Sequence, residues 1–74
     1  MNIKQTFGKN LNFYRLQQGL TQKEMASKLN MVREQYSRYE RGITELDYAK
    51  IISVCQILDI TPNDLFEGCN NCNQ

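Results

Sequence analysis

The sequence predicts a small all-α domain of five helices around a single core. Three observations lead there. Apolar residues recur at three- and four-residue intervals along most of the chain. Threonine followed three residues later by an acidic residue opens two of these stretches, Thr21 with Glu24 and Thr61 with Asp64, the pattern of a capping box. Residues that tolerate a left-handed backbone close them: Gly19, Asn30, Gly42 and Gly68.

The first helix is expected from Ile3 to Gln18, with Asn2 as its cap and Gln5 at the third helical position. Ile3, Phe7 and Leu11 form an i+4 row, with Tyr14 beside its end. The same row continues to Arg15, a charge where the core should be. A buried guanidinium is costly unless paired. Either a partner meets it inside, or the side chain snorkels to water or a phosphate.

A second helix spans Gln22–Leu29, with Met25, Ala26 and Leu29 on one face, and Asn30 turns the chain. A third runs from Val32 to Arg41, with Val32, Tyr36 and Tyr39 as its apolar positions. On another face Arg33, Ser37 and Arg41 follow at i, i+4, i+8, flanked by Glu34 and Arg38. Two short helices joined by so tight a turn cannot bury their faces on each other alone. The flanks must supply the rest of the core.

After the connection at Ile43 and Thr44, a fourth helix is expected from Glu45 to Leu58, burying Tyr48, Ile51, Val54, Cys55 and Leu58. Ile52 and Ile57 fall off that stripe. Asp59 and Ile60 turn the chain into a fifth helix, capped by Thr61 and begun by Pro62, whose Leu65 and Phe66 close the core. Residues 1–68 thus form one domain, near the lower size limit for folding unaided. Residues 69–74, CNNCNQ, show no periodicity and read as a mobile tail.

Net charge is +1, but the average hides an asymmetry. Residues 1–42 carry eight basic side chains against three acidic, whereas residues 43–74 carry Lys50 against five acids. A basic half and an acidic half suit a module that shows one end to phosphate, although ordinary solvated charge gives the same totals. No apolar run of about 20 residues is present, which excludes a transmembrane helix. The first ten residues lack the apolar core of a signal peptide, so the expected compartment is the cytoplasm. Cys55 lies in an apolar helix pattern and Cys69 and Cys72 in the tail, which is no disulfide framework.

The stretch Leu20–Gly42 carries a more specific signature. GLTQ at Gly19–Gln22, EMA at Glu24–Ala26, Leu29 and RYERG at Arg38–Gly42 stand in one register. Together they resemble the helix-turn-helix of the phage Cro and repressor type, the XRE family. The resemblance covers residues 3–67 and implies a lambda-repressor-like DNA-binding domain whose third helix lies in the major groove. It further implies a sequence-specific transcription regulator, a repressor that binds a palindromic operator as a homodimer with half-sites about one helical turn apart. In this family an arginine at the position of Arg15 pairs with the glutamate of the ERG turn, here Glu40. One residue departs from the pattern. A serine or threonine cap is usual before the recognition helix, and this chain has Val32.

Double-stranded DNA is therefore the expected partner, and the side chains suit it. Arginine bonds bidentately to guanine and glutamate accepts from cytosine, so Arg33, Glu34 and Arg38 are assigned to bases. Ser37 serves either bases or phosphate. Thr21, Gln22, Arg41 and Thr44 are assigned to phosphates, Gln22 because it starts a helix whose free N–H groups favour an anion. The competing reading of Glu34 and Arg38 is a mutual pair on a solvated face. Ile52, Ile57 and Ile60 are left over once the core is filled and mark a dimer face, set against the ordinary exposure of some isoleucine in a small chain. The chain contains no histidine and no paired acids, which removes His-based catalysis and leaves no enzyme reading. Cys69 and Cys72 supply two of the four ligands that structural zinc wants, so neither metal nor cofactor is expected. The rival class is a protein-interaction module, an antitoxin or anti-repressor whose acidic half binds a protein antagonist while the other half autoregulates.

Overall fold

The computed structural model describes residues 3–68. The Asn2 cap, Cys69, Cys72 and the tail at 69–74 lie outside them. Five helices follow in order: α1 Ile3–Gln17, α2 Gln22–Lys28, α3 Arg33–Glu40, α4 Tyr48–Leu58 and α5 Pro62–Phe66. All described residues are helical or lie in the short turns between.

Several of these helix ends have a local cause. The Thr21 hydroxyl accepts from the Glu24 amide while the Glu24 carboxylate accepts from the Thr21 amide, and Thr61 and Asp64 repeat this at α5. Asn30 takes φ 60° between α2 and α3, and Asp59 takes φ 57° after α4. Val32 stands at the N-cap of α3 in extended conformation and offers no side-chain bond. It is thus outside the helix, not its first apolar residue, and is 63% exposed. The extended backbone at a cap swings the side chain away from the face that helical spacing assigns it.

The core is built from Phe7 and Leu11 of α1, Met25, Ala26 and Leu29 around α2, and Tyr36 and Tyr39 of α3. Val54, Cys55 and Leu58 of α4 and Leu65 of α5 complete it, together with Leu46 from the α3–α4 connection. Here the largest correction falls. The fourth helix begins at Tyr48 rather than Glu45, because the Asp47 carboxylate accepts from the Lys50 amide at 2.8 Å and fixes the start there. Leu46, still in the connection, turns into the core, and Tyr48 is left 80% exposed. Ile3 is also exposed, and Phe66 is partly so while its ring lies 4.9 Å from that of Phe7.

Side-chain amides tie the helices together. Asn10 of α1 donates to the carbonyls of Leu65 and Glu67, and Gln18 donates to the Leu58 carbonyl, closing the ends of α5 and α4. Where α1 crosses the end of α3 the backbones nearly touch. A Cβ on Gly8 would lie 2.4 Å from the Glu40 carbonyl oxygen and 2.7 Å from that of Tyr39. A Cβ on Gly42, at φ +76°, would lie 2.8 Å from the Gln5 Cα.

Two effects oppose each other in Gly8→Ala. Alanine gains about 1 kcal/mol of helix propensity. Overpacking costs about 1–3 kcal/mol, and the clashing atoms here are backbone that cannot swing aside. The clash wins, so the urea midpoint of Gly8→Ala should fall. An unchanged or higher midpoint would show that α1 and α3 have slack at this crossing.

Candidate nucleic-acid interface

The centre of the two-helix unit is the Glu40 carboxylate at the last residue of α3. Its Oε2 accepts from Arg15 Nε at 2.6 Å and from the Tyr36 hydroxyl at 2.5 Å. Its Oε1 accepts from Gln22 Nε2 at 2.9 Å, Asn12 Nδ2 at 3.0 Å and an Arg15 terminal nitrogen at 3.3 Å. Arg15 Nη1 also donates to the Leu20 carbonyl at 2.6 Å. The Arg15 and Glu40 side chains are only 8% and 4% exposed, and among the described residues this is the one ion pair. No buried side-chain polar atom of these residues is left without a partner.

Titration follows from that geometry. Burial pushes the Glu40 carboxyl upward, but the donors from Arg15, Tyr36, Gln22 and Asn12 outweigh it and hold Glu40 below its usual value of 4.5. For Tyr36, burial and the bond to Glu40 act together and raise the phenol far above its usual range. Desolvation opposes the Arg15 charge, yet Glu40 prevails and Arg15 stays protonated. One charged acceptor therefore holds three helices at a fixed mutual angle.

That clamp decides what α3 shows to the outside. At about 100° per residue, Tyr36, Tyr39 and Glu40 occupy the inward side. Glu34, Arg38 and Arg41 then fall opposite, with Ser37 at their edge and Arg33 in the first turn. Arg33, Glu34, Arg38 and Arg41 are exposed and Ser37 is half-buried. Glu34 and Arg38 close no ion pair with each other.

The remaining assigned residues divide. Thr21 and Gln22 stand at the start of α2, beside α3, and both already have a structural bond: Thr21 through its cap and Gln22 through Glu40. Arg41 is the C-cap of α3, and Thr44 is exposed in the following connection. Ile57 and Ile60 pack against the core, whereas Ile52 does not. Five residues along α4 correspond to about 140° around its axis, so Ile52 and Ile57 flank opposite edges of the buried stripe. The three isoleucines form no single patch. Tyr48 lies one turn before Ile52 and widens that edge instead.

Asn12 and the inward role of Gln22 were not foreseen from the sequence. The signal was present: Gly8, Asn12 and Arg15 follow at i, i+4, i+7, a small and polar stripe beside the apolar row of Phe7 and Leu11. No group of three or more acids, cysteines or histidines among the described residues is arranged to hold a metal. None of the described helices is long and apolar enough to cross a membrane.

Comparison with known proteins agrees with this geometry. The family described as "Helix-turn-helix" matches residues 11–65. The chain belongs to the Cro/C1-type (XRE) helix-turn-helix family. It is 42% identical over 65 residues to an uncharacterized HTH-type transcriptional regulator of Bacillus subtilis, YqaE, covering 88% of this chain and 56% of that protein. The chain thus spans little more than half the length of that relative. Among solved structures, the restriction-modification controller protein C.AhdI from Aeromonas hydrophila superposes with TM-score 0.77 at 31% identity, over 84% of this chain and 90% of its own. The SOS-response transcriptional repressor LexA from Eubacterium rectale gives 0.82 at 25% identity, over 90% and 71%. The family is one of DNA-binding transcriptional regulators, and this chain has its fold.

Replacing Glu40 by glutamine leaves Arg15 buried without a counter-charge and should cost roughly 3–5 kcal/mol. The pH dependence carries a second signature. The Glu40 pKa is lower folded than unfolded, so its contribution is complete above its ordinary value of 4.5 and is lost as pH falls through the depressed folded value. Acid unfolding of the wild type should therefore be steeper in that window than that of Glu40→Gln. Parallel curves would contradict the assignment.

Proposed function

We propose that this member of the family is a sequence-specific repressor that acts in the cytoplasm, binding a palindromic operator as a homodimer through α3. The observation that carries the reading is the outward face of α3. Arg38, Arg41 and Glu34 stand exposed there and Arg33 stands exposed in the first turn, pairing with no other side chain, on a helix whose inward face is clamped through Glu40. Exposed charge with no internal partner on a rigid helix fits base and phosphate recognition better than structural use.

In this reading Arg33, Glu34 and Arg38 meet base edges, and Ser37 meets a base or a phosphate. Arg41 and Thr44 meet phosphates. At the start of α2 the Gln22 amide nitrogen is held by Glu40. A phosphate there is met by backbone N–H groups of the first turn and by the Thr21 hydroxyl proton, which capping leaves free to donate. Dimerisation uses the Tyr48 and Ile52 edge of α4, with Ile57 and Ile60 stiffening it from within the protomer's own core. The repressor role is supported by the likeness to LexA, whose name describes a transcriptional repressor.

Mobility shift with a random duplex pool tests the proposal, because binding, site sequence and half-site spacing emerge together. A palindromic consensus is expected, and a chain that retains no duplex would favour the protein-interaction module instead. On the selected site, Arg33→Ala and Arg38→Ala should each lose about 1–3 kcal/mol at particular base positions. Arg41→Ala should weaken all sequences alike and flatten the salt dependence. Equal losses on operator and random DNA for Arg33→Ala would remove its base-reading role. Sedimentation at micromolar concentration should show a dimer that Ile52→Glu dissociates. A wild-type chain that stays monomeric would end the homodimer.

A further inference from the structure

Val32 is a residue that neither the core nor the clamp accounts for. The starts of α2, α4 and α5 are each capped by a side-chain oxygen, from Thr21, Asp47 and Thr61. At α3 the backbone adopts the same extended cap conformation, φ −79° and ψ 155°, but valine supplies no acceptor. Nor is anything gained by burial, since the side chain is 63% exposed. A position that gives up a stabilising bond and presents apolar surface to water breaks two local rules at once. Such breaches concentrate where a chain meets its ligand.

Its place says which ligand. Val32 immediately precedes Arg33, at the N-terminal tip of the helix whose first residues contact base edges in a helix-turn-helix. Two methyl groups and no hydrogen-bonding atom cannot read a donor or an acceptor. The one apolar group that a base edge displays in the major groove is the C5-methyl of thymine. We propose that Val32 reads a pyrimidine C5-methyl in each half-site, selecting that position by apolar contact while Arg33 reads its neighbour by hydrogen bonds. This rests on the reading that α3 enters the major groove. Thymine and 5-methylcytosine carry the same methyl at the same place, and the test separates them.

The experiment uses the whole chain and the duplex it selects. Each thymine of that duplex is replaced in turn by deoxyuridine, which removes only the methyl, and affinity is measured by fluorescence anisotropy. In parallel each cytosine is replaced by 5-methyl-deoxycytidine. At one symmetric thymine position the wild type should lose about three- to fivefold in affinity per half-site, the value of one buried methyl-sized group. Val32→Ala should bind more weakly and respond little to the same replacement. Val32→Thr keeps one methyl and adds a capping hydroxyl, so it should retain the deoxyuridine effect and melt at a higher temperature. That variant separates loss of contact from loss of fold. A gain on 5-methyl-deoxycytidine that disappears in Val32→Ala would assign the methyl to modified cytosine. Identical scans for wild type and Val32→Ala in both arms would overturn the proposal. Failure to select any duplex would be a different result, sinking the DNA-binding reading itself.

Discussion

A single carboxylate with donors from α1, α2 and α3 holds this domain in its working shape. Burying Glu40 and Arg15 removes both charges from water, a penalty of several kcal/mol per ion that attraction alone does not reliably offset. What tips the balance is completeness. Arg15, Asn12, Gln22 and Tyr36 all donate to Glu40, and Arg15 directs its remaining reach to the Leu20 carbonyl. A fully satisfied network of this kind rigidifies its surroundings, whereas a half-satisfied one weakens them. The tight crossing at Gly8 and Gly42 belongs to the same arrangement, because larger residues there would push α1 away from the end of α3.

The geometry of the outward face follows from the inward one. α3 has only eight residues, too few to persist as an isolated helix. Its direction is set at one end by Glu40 and along its length by Tyr36 and Tyr39 in the core. The arginines outside need no further support to be held at fixed spacing. The clamped residues and the exposed charges thus occupy opposite sides of the same turns. Val32, at the tip of the helix, gives up a side-chain cap.

Much of this was legible in the residues. Threonine with an acid three positions on, asparagine or glycine at a stop, and apolar rows at helical spacing are local signals, and the structure resolves them locally. The failures share another origin. Tyr48 and Leu46 differ in which one enters the core because Asp47 caps α4, and aspartate reads equally well as a first-turn residue or a cap. Val32 fits an apolar row by spacing, but spacing ceases to apply one residue outside the helix. Ile52 and Ile57 both lie off the buried stripe, and only the angle between them shows that they lie off opposite sides. Asn12 and Gln22 are polar residues whose partner is distant in sequence, so no local pattern could name it. The placing of Arg33, Glu34, Ser37 and Arg38 within one turn-and-a-half of helix was readable, because helical spacing is a local property.

The central claim, that Glu40 and Arg15 act as one coupled unit at the heart of the fold, is tested most directly by a double-mutant cycle. Arg15→Met, Glu40→Gln and the pair would be compared by urea denaturation at neutral pH. The account predicts strong coupling, with the double variant losing less than the sum of the singles by about 1–3 kcal/mol. Removing the second charge relieves the burial penalty that removing the first creates. Single losses that simply add, within about 0.5 kcal/mol, would contradict it.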